Sequence, residues 1–219
     1  MAYTLSGLRT KVQNKLENTG ISATKITDWL NDAQREAVEG WDLPFMETTA
    51  PYTLTVSNAD ITAGAGLPAT FDRAISVRLT TADYEKELRY VEYRDLLKRH
   101  PDLATADTGT PTMWYKFANT IKVFPEPDIA YTLSLDYYKT PTELSDDADV
   151  PEIPSLYEEL LVIGAYLRAL EHDDDYDEAA VQRLLWDQKH INMVRKTTQK
   201  HDGPSVIAIN RRRTTRIRG

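Results

Sequence analysis

Cysteine is missing from all 219 residues. That excludes a disulfide framework, a thiolate-held zinc or iron–sulfur centre, and thiol catalysis. No apolar run approaches the roughly 20 residues that span a bilayer, and the stretch from Met1 to Arg9 has no signal-peptide core. The expectation is a soluble intracellular product without membrane attachment. The four histidines, His100, His172, His190 and His201, lie in different segments without a His-x-x-x-His or His-Glu-x-x-His spacing, and no Gly-x-x-x-x-Gly-Lys phosphate loop occurs. Neither catalytic residues, nor a metal, nor a cofactor is therefore expected. A chain of this length fits one large domain or two small ones and buries about 70% of its unfolded surface, so it needs no staple.

Charge is present, and its placement matters more than its sum. The chain holds 26 basic and 34 acidic side chains, a net −8. Residues 195–219 carry eight bases and one acid, which leaves +7 there and −15 on residues 1–194. An acidic body with a basic tail points to an acidic partner for the tail, either nucleic acid or another protein. Val206, Ile207 and Ile209 precede Arg211, Arg212, Arg213, Arg216 and Arg218. Arginine forks match phosphate oxygens, but an apolar patch on a polar arm favours a protein partner. The arm lacks a periodic apolar face for packing on the body, so it is expected to be disordered in the free chain.

The periodicity divides the chain into segments. Leu5, Leu8, Val12 and Leu16 make one helical stripe, ended at Thr19-Gly20. A second helix, capped by Ser22 or Thr24, carries Ile26, Trp29, Leu30, Ala33, Ala37, Val38 and Trp41 and closes at Pro44. From Met46 the period becomes two. Tyr52, Leu54 and Val56, then Ile75, Val77 and Leu79, read as half-buried strands around a Gly- and Pro-rich loop at 62–68. Leu88 and Tyr90 continue the pattern weakly, and a short helix over Tyr93–Arg99 stops at Pro101. Met113–Phe117 and Ile121–Phe124 form a hairpin turning at Asn119, and Tyr131, Leu133, Leu135 and Tyr137 mark a strand. Helix returns after Pro151 and Pro154, with Ser155 as cap and a heptad-like seam of Leu156, Leu160, Ile163, Leu167 and Leu170. A last helix from about Asp177 to Thr198 should turn Val181, Leu184, Leu185, Ile191 and Val194 inward. The class is therefore α+β: a helical bundle of two N-terminal and two C-terminal helices, an inserted antiparallel β-rich region, and an extended C-terminal arm. The expected division is 1–45, 46–149, 150–200 and 201–219.

Two features invite a chemical reading. Asp173, Asp174, Asp175, Asp177 and Glu178 cluster carboxylates as hard cations require. They are consecutive and lack the central Gly of a calcium loop, so they read as a turn whose acids favour the next helix N-terminus. Residues 143–178 hold thirteen acids and one base, Arg168. That is either a solvated face or a wall past which DNA slides without sticking. The aromatics Trp114, Tyr115, Phe117, Phe124, Tyr131, Tyr137 and Tyr138 read as strand formers and core fillers.

The ordered set Gly109-Thr-Pro111, Trp114, Ile121-Lys-Val-Phe-Pro125-Glu-Pro127, Tyr131 to Tyr138, Pro141, and Ile153-Pro154 with Tyr157 resembles the head-to-tail adaptor, or connector, proteins of tailed bacteriophages. The resemblance covers about half the chain. It implies a non-enzymatic structural protein of the virion, made in the bacterial host cytoplasm and placed at the head–tail junction. The implied partners are the portal protein, a downstream tail or stopper protein, further copies of itself in a ring of about twelve, and genomic DNA passing through the lumen. It also implies an arm that binds the portal through Val206, Ile207, Ile209, Arg211, Arg212, Arg213, Arg216 and Arg218. The alternative is a nucleic-acid-binding module that uses the same arginines.

Calcium is expected to leave the melting temperature unchanged, because the Asp173–Glu178 run lacks alternating ligands. A rise of several degrees, abolished by Asp175→Ala, would overturn that reading.

Overall fold

A computed structural model describes residues 3–16, 20–61, 66–80, 85–103 and 108–198. The order of elements is α1 (Leu5–Lys15), α2 (Ala23–Val38), β1 (Glu47–Leu54), β2 (Phe71–Thr80), β3 (Glu85–Glu87), β4 (Arg89–Tyr90), α3 (Tyr93–Arg99), β5 (Met113–Phe117), β6 (Thr120–Phe124), β7 (Tyr131–Lys139), α4 (Glu158–His172) and α5 (Tyr176–Thr198). This is an α+β fold in which helices flank an inserted, mainly antiparallel β region. Thr19 and parts of the 62–68 and 105–111 loops lie outside the described residues.

The N-terminal helices follow the apolar stripes. Thr4 and Ser22 accept hydrogen bonds from the backbone N–H groups of Gly7 and Lys25, so each helix starts on a hydroxyl cap. Leu5, Leu8, Val12, Ile26, Leu30, Ala33 and Ala37 are buried. Leu16 serves as the extended C-cap of α1. Trp41 leaves the expected stripe: α2 ends at Val38, Gly40 turns left-handed at φ 77°, and Trp41 is exposed. Glycine takes that conformation without a Cβ clash, so the chain swings away before Trp41 can continue the helix.

Helix α4 is the axis of the bundle. Leu160, Leu161, Val162, Ile163, Ala165, Leu167, Ala169 and Leu170 are all buried, so the helix is covered on several sides rather than along one seam. Leu156 does not belong to that seam. It sits in a 3₁₀ turn, Ser155–Tyr157, and is 75% exposed. Ser155 provides no side-chain cap either, since α4 begins one turn later at Glu158. Gly164 lets the neighbours close in. A Cβ there would stand 2.7 Å from the Ala33 Cβ of α2 and 3.0 Å from Trp186 Nε1 of α5.

The β region has its own core of Tyr52, Leu54, Ile61, Val77, Leu79, Leu88, Ile121, Val123 and the inward residues of β7. One sheet runs β1-β7-β2-β3, all antiparallel; the other runs β4-β5-β6, in which β4 and β5 are parallel. Leu88 lies between β3 and β4, and its N–H bonds Val77 O as the chain passes from one sheet to the other. The alternation breaks twice. Val56 lies past β1 and is exposed, and Ile75 is exposed because the β2 register shifts between Ala74 and Ser76. Such a bulge inserts one residue and reverses the facing of what precedes it. In the β5–β6 hairpin the left-handed residue is Ala118, at φ 52°, next to Asn119.

Asp136 of β7 fastens the outer face of the first sheet. Its carboxylate accepts from Thr49 Oγ1 at 2.7 Å, Ser76 Oγ at 2.8 Å, and Arg78 Nη2 and Nε at 2.9 and 3.0 Å. One acid therefore ties three adjacent strands.

Gly164→Ala tests the close approach. In an open helix that change stabilises by up to about 1 kcal/mol. Here the overlap with Ala33 and Trp186 should cost about 1–3 kcal/mol and lower the melting temperature by several degrees. A higher melting temperature in calorimetry would show that the helices do not meet at Gly164.

Candidate docking surface

The bundle is cross-linked by charge at its edge. Glu36 of α2 accepts from Arg168 Nη2 of α4 at 2.6 Å and pairs with Arg183 Nη1 of α5 at 2.8 Å; Arg183 also reaches Asp187 at 3.4 Å. Burial alone would raise the Glu36 carboxyl. The hydrogen bond and charge of Arg168, with those of Arg183, outweigh it and hold the group below its ordinary 4.5. This network borders a cleft of about 650 Å³ between the end of α2 and the start of the sheet, with Trp41, Asp72 and Tyr138 among its walls.

The segment joining β7 to α4 is sewn to the N-terminal helices by groups that helical periodicity does not single out. Asn31 Nδ2 donates to Leu144 O at 3.0 Å and Asn31 Oδ1 accepts from Leu144 N at 2.8 Å; Gln34 Nε2 donates to Thr142 O at 3.0 Å. Leu5 N and Ser6 N bond the carbonyls of Asp149 and Asp147. Gln34 keeps step with Leu30 on the apolar stripe, and a polar residue there was the available signal for a buried bond.

Many acids of the 143–178 stretch have local tasks. Asp147 pairs with Arg9, Glu152 with Lys139 and Glu159 with Lys189. Asp149 accepts from the backbone of Ser145 and Asp146, which closes a turn, and buried Glu158 accepts from Tyr3 N at 2.7 Å. In the second cluster Asp173 contacts the His172 ring, Asp174 accepts from Tyr176, and Asp175 accepts from Glu178 N in the first turn of α5. Asp174 has φ 60°, the sharp point of the turn. Among the described residues no group of three or more His, Asp or Glu side chains is placed to hold a metal ion, and no helix is long and apolar enough to cross a membrane.

The aromatic residues of the sheets are mostly core. Trp114, Tyr115, Phe124, Tyr131 and Tyr137 are buried, whereas Phe117 and Tyr90 are exposed. Tyr90 rests against Trp114 with ring centroids 4.8 Å apart.

Helix α5 reverses its expected facing. Ala179, Trp186, His190, Met193 and Val194 point inward, with His190 Nε2 2.8 Å from Ala37 O and its ring stacked on Trp186. Of the expected inward residues only Val194 is buried. Val181, Leu184, Leu185 and Ile191 lie outside, 57%, 72%, 37% and 53% exposed. At about 100° per residue the two sets fall on opposite sides of the helix. Both stripes are legible in the sequence; the space that Gly164 leaves for the Trp186 ring decides between them. The outer stripe is the largest run of apolar side chains that the described helices leave uncovered.

The arm residues Val206, Ile207, Ile209, Arg211, Arg212, Arg213, Arg216 and Arg218 lie outside the described residues.

One comparison places the chain. The family model described as SU10 adaptor protein matches residues 3–212, nearly the whole length, and the chain belongs to that family of phage head-to-tail adaptors. No curated protein matches it. Membership makes the protein a structural phage adaptor, a component of the virion.

Glu36→Gln keeps the shape of the bridge and removes its charge. Because the folded value lies below 4.5, the stabilisation is complete above the unfolded value and is lost as pH falls through the folded one. The variant should lose about 1 kcal/mol at pH 7, the amount being limited by solvent at this half-buried site. At pH 3, below the ordinary value of 4.5, the gap between the two proteins should be smaller. Urea titrations at both pH values measure the difference, and an equal gap at each would refute the charge argument.

Proposed function

We propose that this SU10-family adaptor docks beneath the portal as a ring of about twelve copies and continues the DNA channel towards the tail. The observation that carries the reading is the family match over residues 3–212. The fold agrees with such a task. A bundle locked at Gly164 and Glu36 supplies a stiff wall, and the inserted sheets offer a separate surface for a downstream tail or stopper protein. The net charge of −8 per copy makes a ring strongly negative, which suits a conduit that must not retain its cargo.

The arm is the proposed portal-binding element. Arg211, Arg212, Arg213, Arg216 and Arg218 would meet acidic portal surface, while Val206, Ile207 and Ile209 would fill apolar pockets. Ordering an arm costs about 1–2 kcal/mol per residue, so each copy holds weakly and the ring relies on many copies acting together. The second reading, a nucleic-acid-binding module, rests on the same five arginines.

Truncation after Pro204 separates the two. It should leave helicity nearly unchanged and abolish capture of the chain by its portal. Duplex binding, measured across salt concentrations, should be weak and insensitive to the truncation. If instead the truncated chain still binds the portal and loses a steeply salt-dependent affinity for duplex DNA, the arm is a nucleic-acid element.

A further inference from the structure

Two features of the chain are left without a partner by the adaptor reading: the outer stripe of α5 and, before any portal is present, the arm that follows it. Val181, Leu184, Leu185 and Ile191 form a stripe about 15 Å long at 1.5 Å per residue. Its N-terminal end meets an acidic turn with Glu171, Asp173, Asp174, Asp175, Asp177 and Glu178. The expectation of a disordered arm rested on the arm's own lack of a periodic apolar face; the outward stripe of α5 offers a seat that this reading did not consider. We propose that residues 205–218 fold back along α5 of the same chain and cover this stripe until a portal takes them.

Chain length and charge both select this occupant. Pro204 cannot continue a helix, and Gly203 beside it readily accommodates a reversal. An extended chain advances about 3.3 Å per residue, slightly more than two residues of helix. With residue 205 level with Thr198, Ile207 and Ile209 fall between the levels of Met193 and Gln188, beside Ile191. Both share one face of the extended chain. Arg212 and Arg213 then fall within side-chain reach of Asp177 and Glu178, and Arg216 arrives at Asp173–Asp175. Apolar residues thus meet the apolar stripe, and bases meet acids, in one register. A parallel register would instead carry the arginines past Arg195 and Lys196. Tethering favours this segment over a second copy, because a short linker provides an effective concentration of about millimolar against micromolar free protein. The portal and α5 compete for one segment, so portal docking bares the α5 stripe.

The absence of cysteine permits a direct test on the full-length chain. Gln188, exposed at the centre of the stripe, and Ile209 are both changed to Cys. A disulfide requires Cα atoms within about 7 Å. Under mild oxidation Gln188→Cys with Ile209→Cys should form an intrachain bond about tenfold faster than a control pair of Val56→Cys with Ile209→Cys. Adding Arg211→Glu, Arg212→Glu and Arg213→Glu should remove the advantage. Intact mass and reduced-against-oxidised mobility read the outcome. A bond between two chains would assign the stripe to a second copy, and equal rates in both pairs, or no bond, would overturn the latch. Portal capture plays no part in this readout, so the latch and the portal-docking arm fail independently.

Discussion

Helix α4 can be the axis of this protein only because Gly164 presents no side chain to α2 and α5. Ala33 and Trp186 occupy the space that a Cβ would need, and the approach lets one helix be covered on several sides. Further contacts depend on that arrangement. The Trp186 ring stacks on His190, His190 reaches the carbonyl of Ala37, and Glu36 joins arginines from both other helices. A bulkier residue at 164 would push α5 outward and strain each of these bonds together, since close-packed interiors transmit displacement instead of absorbing it.

The sheets and the bundle keep separate buried cores, and the segment returning from β7 is tied to α2 by side-chain amides that bond its backbone. The helical cluster and the main β cluster are distinct. Leu144 and Ile153, on the segment that returns from β7, belong to the helical one. Asn31 and Gln34 hold that return path at 142–144 as a strand partner would. Asn31 is suited to this, because its amide both donates to and accepts from the Leu144 backbone and would be costly to leave unpaired. Much of the acidic content of the same path is absorbed by capping turns and pairing with nearby bases, so acid count alone is a poor guide to which surface would repel DNA.

For an adaptor, the informative surface is the one that its own fold leaves bare. The outer stripe of α5 is mainly apolar, interrupted by Gln188, and bounded by acids at its start and bases near its end. Soluble chains seldom leave such a face without an occupant. The basic arm follows the same helix in the sequence, which links the surface most in need of a cover to the segment most in need of a seat.

The amino-acid sequence by itself determined the class, the order of the elements and the family resemblance. Alternation at Tyr131, Leu133, Leu135 and Tyr137 admits only a strand with one buried face, and Ser22 with the α2 stripe admits only a capped helix. These are local matters of period and cap chemistry. Tertiary structure decided the facing of α5, the burial of α4 on several sides, the exposure of Ile75 at a bulge, and the departure of Trp41 after Gly40. The first two turned on neighbours distant in the chain, Ala33 and Trp186 around Gly164. The third turned on the register of β2 against β7, and the last on the left-handed turn at Gly40. A helix with apolar residues on two opposite sides offers either side equally to a local reading, and only the shape of the cavity left by its partners selects one.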